Sequence, residues 1–242
     1  MRIAIAAALI GVAAASSSCG HARSEEPGPV ISKSFPVGNF TEVEVAGSFD
    51  VDVRTGANPS VSARGNQRLI EHLEVEVRGN KLVIHPKNER KWFGGGWHGR
   101  GKGALSITVP MIRAATLAGA GDMTINTVRG EDFEGEIAGA GDLRVDSIDV
   151  GTLKFAIAGA GGVSARAGKA RRAEYKIAGS GDVDASGLTA EDLEITIAGS
   201  GDIRANATRT ADVSIMGSGD VEVTGGAKCS VSKAGSGNVR CS

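Results

Sequence analysis

Apolar and polar residues alternate along most of this chain, a pattern typical of β-strands. The alternation is regular over residues 41–56 and again on both sides of Gly79 and Asn80. Side chains on one face of a strand recur at every second position, whereas a helix repeats its apolar face every 3.6 residues. Residues 34–110 are therefore predicted to form β-strands, with a tight hairpin turn at Gly79 and Asn80.

A short phrase, AGSGD or a close variant, recurs seven times from residue 117 onward. Successive copies are 20 residues apart in the first four steps and 18 apart in the last two. Each period contains two short alternating strands and a brief third side. Such a period is typical of a solenoid, in which every unit buries its apolar face against its neighbours. We predict an all-β, parallel β-helix-like solenoid with coils of 18–20 residues over 111–242, joined at its N-terminal end by the strand and hairpin region 34–110.

Turn chemistry explains the repeated phrase. Its two glycines permit positive φ at a tight corner where a side chain would clash with the adjacent coil, and its aspartate can accept hydrogen bonds from backbone amides. A calcium ladder is the alternative, but each turn offers one carboxylate whereas calcium takes six to eight oxygen ligands. We expect no metal site and a turn-capping column, broken by Gly162, that consists of Asp122, Asp142, Asp182, Asp202, Asp220 and Asn238.

The N-terminus has the features of an export signal. Residues 1–18 contain a positive start, an apolar run and small residues, which is the composition of a signal peptide. Cys19 follows three serines as in bacterial lipoproteins, and we predict that it is lipidated. Because Ser16 stands where a larger apolar residue is usual, ordinary cleavage after Ala22 is the alternative. The polar segment 19–33 is predicted to be a tether.

The remaining two cysteines form an even pair in a chain predicted to reach an oxidising compartment, so we predict a Cys229–Cys241 disulfide. In the register of the repeat, Cys229 corresponds to Leu193 and Cys241 to Ala205. Both are inward positions on different strands of the last coil. A disulfide there would close the open end of the solenoid.

Composition and charge narrow the function classes. The chain has 36 Gly and 41% hydrophobic but only 4% aromatic residues, which suits many thin, similar layers. Its net charge of −1 does not favour nucleic acid as a partner. The expected membrane contact is the lipid anchor, and Gly20 beside Cys19 is similar to lipoproteins sent to the outer membrane.

The one long stretch that does not repeat, NERKWFGGGWHGRGKG, is glycine-rich and basic. Its aromatic and cationic side chains are suited to stacking on sugar rings or holding an anionic polymer. The alternative is a long hairpin loop whose aromatics cover one end of the coils. The candidate binding residues are Trp92, Phe93, Trp97, His98, Arg100 and Lys102.

A second basic stretch concentrates four cations on one turn and is predicted to be a solvated corner, with lipid headgroups or acidic polysaccharide as the alternative ligand. Its cations are Arg166, Lys169, Arg171 and Arg172.

The opening FTEVEVAGSFDVDVRTG, the hairpin LEVEVRGNKLVI, the strand LSITVP and the AGSGD phrases together resemble the putative auto-transporter adhesin, head GIN domain family. The resemblance covers residues 34–242 as one domain. It implies a right-handed β-helix-like fold and a place on or near the cell envelope. It carries no catalytic residues, and we do not expect this chain to have the translocating barrel of a true autotransporter.

These features predict an exported envelope lipoprotein with an adhesive or interaction role, without catalysis or a cofactor. An envelope polysaccharide or a cell-surface molecule is the expected partner. No nucleophile–base pair stands out, and the four histidines all precede the repeat. The alternatives are a carbohydrate-binding or carbohydrate-active β-helix protein and a purely structural component of the envelope.

Overall fold

The computed structural model describes residues 28–87 and 103–242, which are 75% strand and 2% helix. The helix, α1, is Gln67–Glu71. In chain order the strands are β1 Val30–Phe35, β2 Glu42–Gly47, β3 Phe49–Thr55, β4 Ser60–Asn66, β5 Leu73–Arg78, β6 Lys81–Pro86, β7 Gly103–Val109, β8 Ala114–Gly119, β9 Met123–Gly139, β10 Asp142–Gly159, β11 Gly162–Ala165, β12 Gly168–Gly179, β13 Asp182–Gly199, β14 Ile203–Gly217, β15 Val221–Thr224, β16 Lys228–Gly235 and β17 Val239–Cys241.

The repeated phrases stack directly above one another, and the predicted solenoid is confirmed with about six turns. From β8 onward, each coil pairs in parallel with the next through residues that occupy the same place in the repeat. Neighbouring strands of such a ladder lie about 4.8 Å apart. The first glycine of the phrase forms one continuous column: Gly119, Gly139, Gly159, Gly179, Gly199, Gly217 and Gly235.

The core lies inside the coils and is apolar. Inward residues alternate with outward ones along most strands, and among the described residues no polar or charged residue is fully buried. Ring stacking adds order to one inward column, where Phe155 and Tyr175 lie parallel with centroids 5.7 Å apart. Gly135 stands directly beneath Phe155 in that column, and a side chain there would collide with the ring.

The solenoid begins earlier in the chain than the boundary at residue 111 indicates. Strands β2 and β3 form a coil of their own, because β2 pairs in parallel with β8 and β3 with β9. Gly47 therefore extends the glycine column below Gly119. Phe49 occupies the place of the second glycine, so the phrase reads AGSFD here and does not match the later copies.

Antiparallel strands cover the N-terminal end of the stack. On one face β7 pairs with β4, and β4 with β1; on the other, β6 pairs with β5 through the turn at Gly79 and Asn80. Strand β1 begins at Val30, inside the segment 19–33 expected to be a tether.

The short helix α1 is a feature that the alternation pattern did not predict. It is capped by the side chain of Asn66, which accepts a hydrogen bond from the amide of Arg68. The helix buries Leu69 and Ile70 against the end of the core. A Cβ placed on Gly103 would lie 2.9 Å from Leu69, so this glycine lets the helix approach the end coil.

Coil length changes from 20 to 18 residues at β14. Ala205 pairs with Ala185 but the next residue, Asn206, pairs with Thr189, so three residues of the lower coil have no counterpart. One additional residue is inserted after Ala207, which leaves the coil two residues shorter. The inserted turn is held by Arg209, whose guanidinium bonds the carboxylate of Asp192.

The last coil is closed by a disulfide between Cys229 and Cys241, whose Cα atoms are 6.6 Å apart. Cys229 lies above Ala211, which in turn lies above Leu193. Cys241 lies above Val223, which lies above Ala205. The two cysteines thus occupy the columns that the repeat register indicates, on two different strands.

Candidate functional site

The aspartates of the repeated phrase connect each coil to the next. The Oδ1 atom of Asp182 accepts the backbone N–H of Asp202 at 2.8 Å, and Asp202 does the same for Asp220 at 2.9 Å. The series ends where Asp220 accepts the amide of Asn238 at 2.7 Å. Each carboxylate therefore satisfies an amide at the corner of the following coil rather than one in its own turn.

The same contact recurs in the lower coils. Asp122 accepts the amide of Asp142 at 3.2 Å, and Asp142 accepts that of Gly162 at 3.0 Å. Gly162 has no carboxylate, and the amide of Asp182 bonds the carbonyl oxygen of Gly161. The amide of Gly162 makes the equivalent bond to Gly141 in addition to its bond with Asp142. Among the described residues, no group of three or more His, Cys, Asp or Glu side chains has an arrangement that could hold a metal ion.

The second basic stretch is paired with acids of lower coils. Arg166 lies 3.6 Å from Asp146, and Lys169 lies 3.6 Å from Asp149. Arg171 reaches across an intervening coil to Glu131, with 2.9 Å between the charged atoms, because Gly151 leaves the path clear. These pairs offset most of the local positive charge, which weakens the case for a polyanion site at this turn.

The predicted binding loop falls outside the described residues, as does the predicted lipidation site Cys19. The candidate binding residues of that loop are Trp92, Phe93, Trp97, His98, Arg100 and Lys102. The strands that bound the loop are described. Strand β6 lies beneath β2, and β7 begins at Gly103, paired with Phe49. Strand β6 therefore ends, and β7 begins, beside the corner between β2 and β3, which is where later coils have the glycine phrase.

A groove of about 750 Å³ lies on one outer face, close to the N-terminal end. Outward side chains of several adjacent coils form its floor and walls. The sequence points only to Asp122 among the lining residues, because most of the others are ordinary outward positions of alternating strands that stacking alone brings together. Val51 and Leu105 are inward core positions that border the groove. The lining residues are Asp50, Val51, Asp52, Arg54, Ala104, Leu105, Ser106, Asp122, Thr124, Asn126 and Asp146.

The groove is acidic and rich in hydrogen-bonding groups. Four aspartates and one arginine line it, and Arg54 is paired with Asp52 at 2.7 Å. The hydrogen bond and charge of Asp52 raise the pKa of the Arg54 guanidinium. Asn126 is held by the amides of Thr55 and Thr127, both of which donate to its Oδ1. Such a surface can bind hydroxyl groups or cationic groups by hydrogen bonding.

Carboxylate, amide, hydroxyl and guanidinium groups are the polar groups that line this groove. Its lining contains neither histidine nor cysteine. The two described histidines lie near the N-terminal end of the solenoid, His72 just after α1 and His85 in β6. His72 Nδ1 contacts the carbonyl of Arg68 at 2.8 Å, and His85 Nε2 lies 3.6 Å from Glu76.

Comparison with known proteins agrees with this architecture. The model of the family described as putative auto-transporter adhesin, head GIN domain, matches residues 39–227. A crystal structure of a putative adhesin from Bacteroides fragilis is similar, with a TM-score of 0.80 and 23% identity over 88% of this chain and 97% of that one. A putative lipid binding protein from Parabacteroides distasonis gives a TM-score of 0.71 and 25% identity over 89% and 97%.

A putative adhesin from Parabacteroides distasonis has the same fold, with a TM-score of 0.67 and 20% identity over 89% of this chain and 98% of that one. None of the curated proteins matches the sequence. Within the parts of the chain that the structure describes, no helix has the length and apolar character needed to cross a membrane.

Proposed function

Because the chain belongs to the putative auto-transporter adhesin, head GIN domain family, we propose that it is an exported protein of the cell envelope with an adhesive or interaction role and no catalytic activity. The observation that carries the proposal is the separation of the inward and outward columns. Buried inward positions stay apolar in every coil below the last one, whereas one outward column reads Thr124, Arg144, Ser164, Asp184, Arg204 and Glu222.

This separation suits a display surface. Outward side chains do not contribute to the core, so their identity is free to change without loss of the fold. The parallel ladders hold those side chains at a constant spacing, which reduces the ordering needed when a partner binds. A rigid surface with variable chemistry is what an adhesive or interaction protein needs.

Deletion of the gene tests the adhesive role. We expect fewer attached cells in the deletion strain and recovery when the full-length protein is restored. Envelope integrity is measured in parallel through sensitivity to detergent. Normal attachment in the deletion strain would contradict the proposal, and a defect in integrity alone would favour a structural role in the envelope.

Lipidation of Cys19 is the proposed anchor. The mature chain would then begin at Cys19, carry acyl groups and fractionate with outer membranes, with residues 19–29 between the anchor and β1. Mass spectrometry of the mature N-terminus tests this, and Cys19→Ser is the matched variant. A soluble mature protein that begins after Ala22 would refute the anchor without affecting the adhesive role.

A carbohydrate-binding role is the second candidate, and the groove favours it. Carboxylate, amide and hydroxyl groups line the groove, and these are the groups that bind sugar hydroxyls. Glycan-array binding that is lost in both Asp52→Asn and the Trp92→Ala/Trp97→Ala variant would support this role. The control is Asp184→Asn, an exposed outward aspartate that does not line the groove.

A further inference from the structure

The C-terminal end of the solenoid presents two strand edges. Strand β16 pairs in parallel with β14, and β17 pairs with β15. No ladder of described residues occupies the other edge of either strand. The N-terminal end differs, because antiparallel strands extend both faces there. The free N–H and C=O groups of an edge strand are a template for one more strand.

The apolar columns of the core are uncovered at this end. In the column that contains the stacked rings, Ile195 is fully buried and Val213 is 3% exposed, but Val231 in the last coil is 50% exposed. Val239 on β17 is only partly buried. One more layer would cover both valines, as each coil below is covered by the next.

The same end is cationic. Residues 225–242 contain Lys228, Lys233 and Arg240 and no acidic residue. Lys233 occupies the inward column of Ile197 and Ile215, and its Nζ donates to the carbonyl oxygen of Gly237 at 2.7 Å. Among the described residues, no carboxylate lies within ion-pair distance of these three cations.

A second copy of this chain is a poor occupant of the edge. Two such ends would bring six like charges together, and an inward-pointing lysine on an edge strand opposes pairing between identical edges. The charge is complementary to a strand that carries acidic side chains.

We propose that the β16–β17 edge is a docking site for an extended acidic segment of another protein, which adds as a strand to β16 through its backbone. The inference rests on the proposed interaction role and gives it a partner class. Backbone pairing would supply affinity, and alternate side chains would supply specificity. In register with β16, the added strand places apolar residues over Cys229 and Val231 and acidic residues over Lys228 and Lys233.

A labelled peptide built on that register is the probe. Glu-Val-Glu-Val-Glu-Glu-Gly corresponds in order to positions 228–234, and Lys-Val-Lys-Val-Lys-Lys-Gly is its charge-reversed control. We expect the acidic peptide to bind the full-length protein, measured by fluorescence polarisation, with an affinity at least about tenfold above that of the control. Hydrogen exchange of the β16 amides should slow on binding.

Two triple variants test the location. Lys228→Gln/Lys233→Gln/Arg240→Gln should weaken binding at least about tenfold, because it removes the three cations of the edge. The matched control, Lys154→Gln/Lys169→Gln/Arg204→Gln, removes three cations from central coils and should change binding less than about twofold. An acidic peptide with every amide N-methylated keeps its charge but cannot donate to the edge, and it should not bind.

Equal loss in the two triple variants would overturn the proposal, as would equal binding of the charge-reversed or N-methylated peptide. Binding to anionic phosphatidylglycerol vesicles without binding to the peptide would also overturn it. The attachment assay is independent of these outcomes. If the protein promotes attachment but does not bind the acidic peptide, the docking edge is refuted and the adhesive role stands. If it binds the peptide but does not promote attachment, the adhesive role is refuted.

Discussion

At the scale of single residues, the two glycines of the repeated phrase serve different purposes. Gly199 has φ of +145°, a conformation that other residues rarely adopt, and a Cβ there would overlap the carbonyl oxygen of Gly179. Gly201 has ordinary φ, but its Cβ would overlap the carbonyl oxygen of Gly181. The first glycine thus provides both the bend and the close approach, and the second provides the close approach alone.

Alanine substitutions should separate the two effects. Gly199→Ala should lower the free energy of unfolding by at least about 3 kcal/mol, since it combines backbone strain with a steric clash. Gly201→Ala should also destabilise the fold, through the clash alone. Urea denaturation followed by circular dichroism measures both changes.

Two further glycines are the controls. Gly79 has φ of +63° and open space around it. Gly79→Ala should therefore lower the free energy of unfolding by about 1 kcal/mol, through backbone conformation only. Gly38 has neither positive φ nor an atom close enough to clash with a Cβ, so Gly38→Ala should leave the free energy of unfolding nearly unchanged. The explanation of the corner fails if Gly199→Ala is no less stable than Gly38→Ala.

Tyr175 makes the core sensitive to alkaline pH. It is the only tyrosine of the chain and is 1% exposed, and burial raises its pKa well above the ordinary value near 10. Above about pH 10 the unfolded chain releases this proton while the folded protein retains it. Folding stability should therefore decline by up to about 1.4 kcal/mol per pH unit from this group.

The variant Tyr175→Phe isolates that contribution, because it keeps the ring stacked on Phe155. Wild type and variant should have similar stability at pH 8 and diverge above pH 10, with the variant more stable. Absorbance at 295 nm should show tyrosinate only as the wild-type protein unfolds. Tyrosinate in the folded protein at pH 11 would contradict the prediction.

At the scale of elements, the last coil depends on its covalent link more than any other coil. Strand β16 has a neighbour on one side only among the described residues, and most of its side chains are exposed. It therefore gains less from burial than the strands beneath it. The Cys229–Cys241 bond ties β16 to β17 and limits the freedom of this weakly packed end.

The variant Cys229→Ser/Cys241→Ser should loosen this coil and leave the central coils intact. Hydrogen exchange at β16 and β17 should accelerate by an amount equivalent to about 2–4 kcal/mol of local opening free energy. Amides of β10 and β12 should exchange as in the wild type. The control, Ser230→Ala/Ser232→Ala, changes two exposed β16 positions and should have little effect. Acceleration spread evenly over all coils would contradict this view.

The sequence predicts those elements best whose neighbours repeat the same pattern. The coils after residue 117 show both alternation and a constant phrase, and their columns are those indicated by the sequence. The sequence does not predict that β2 and β3 form a coil, because Phe49 replaces the second glycine of the phrase. Gly47 and Asp50 nevertheless occupy the places of the first glycine and the aspartate. Helix α1 forms because Asn66 caps it and because two of its residues are buried at the N-terminal end of the core. Neither feature belongs to a repeated pattern, so the repeat does not predict the helix.

At the scale of the whole molecule, both proposed binding surfaces depend on how the coils stack. The groove combines residues that are far apart in sequence, such as Asp50, Ser106 and Asp146. The cationic edge exists because the columns of the core end at β16 and β17. Alternation tells which side chains point outward, but their chemistry as a group depends on which coils are adjacent. Both surfaces are therefore properties of the stacking order, which the alternation pattern does not contain.

Stacking in a common register also predicts that a complete coil can be removed. Deleting residues 164–183 joins Val163 to Asp184 and removes one period of 20, so every later residue keeps its column. The remaining coils still find matched neighbours; for example, Ile195 then lies over Phe155. We expect a shorter solenoid that unfolds cooperatively in urea, with lower stability because one interface between coils is lost.

Deleting residues 165–183 is the matched control, because it differs only by retaining Ser164. The joined strand then reads Val163, Ser164, Asp184, which turns Asp184 inward and Ala185 outward. A charged group in the apolar core, or a bulge that avoids it, should make this variant less stable by at least about 3 kcal/mol than the 20-residue deletion. Equal urea midpoints for the two deletions would show that register between coils does not hold the solenoid together.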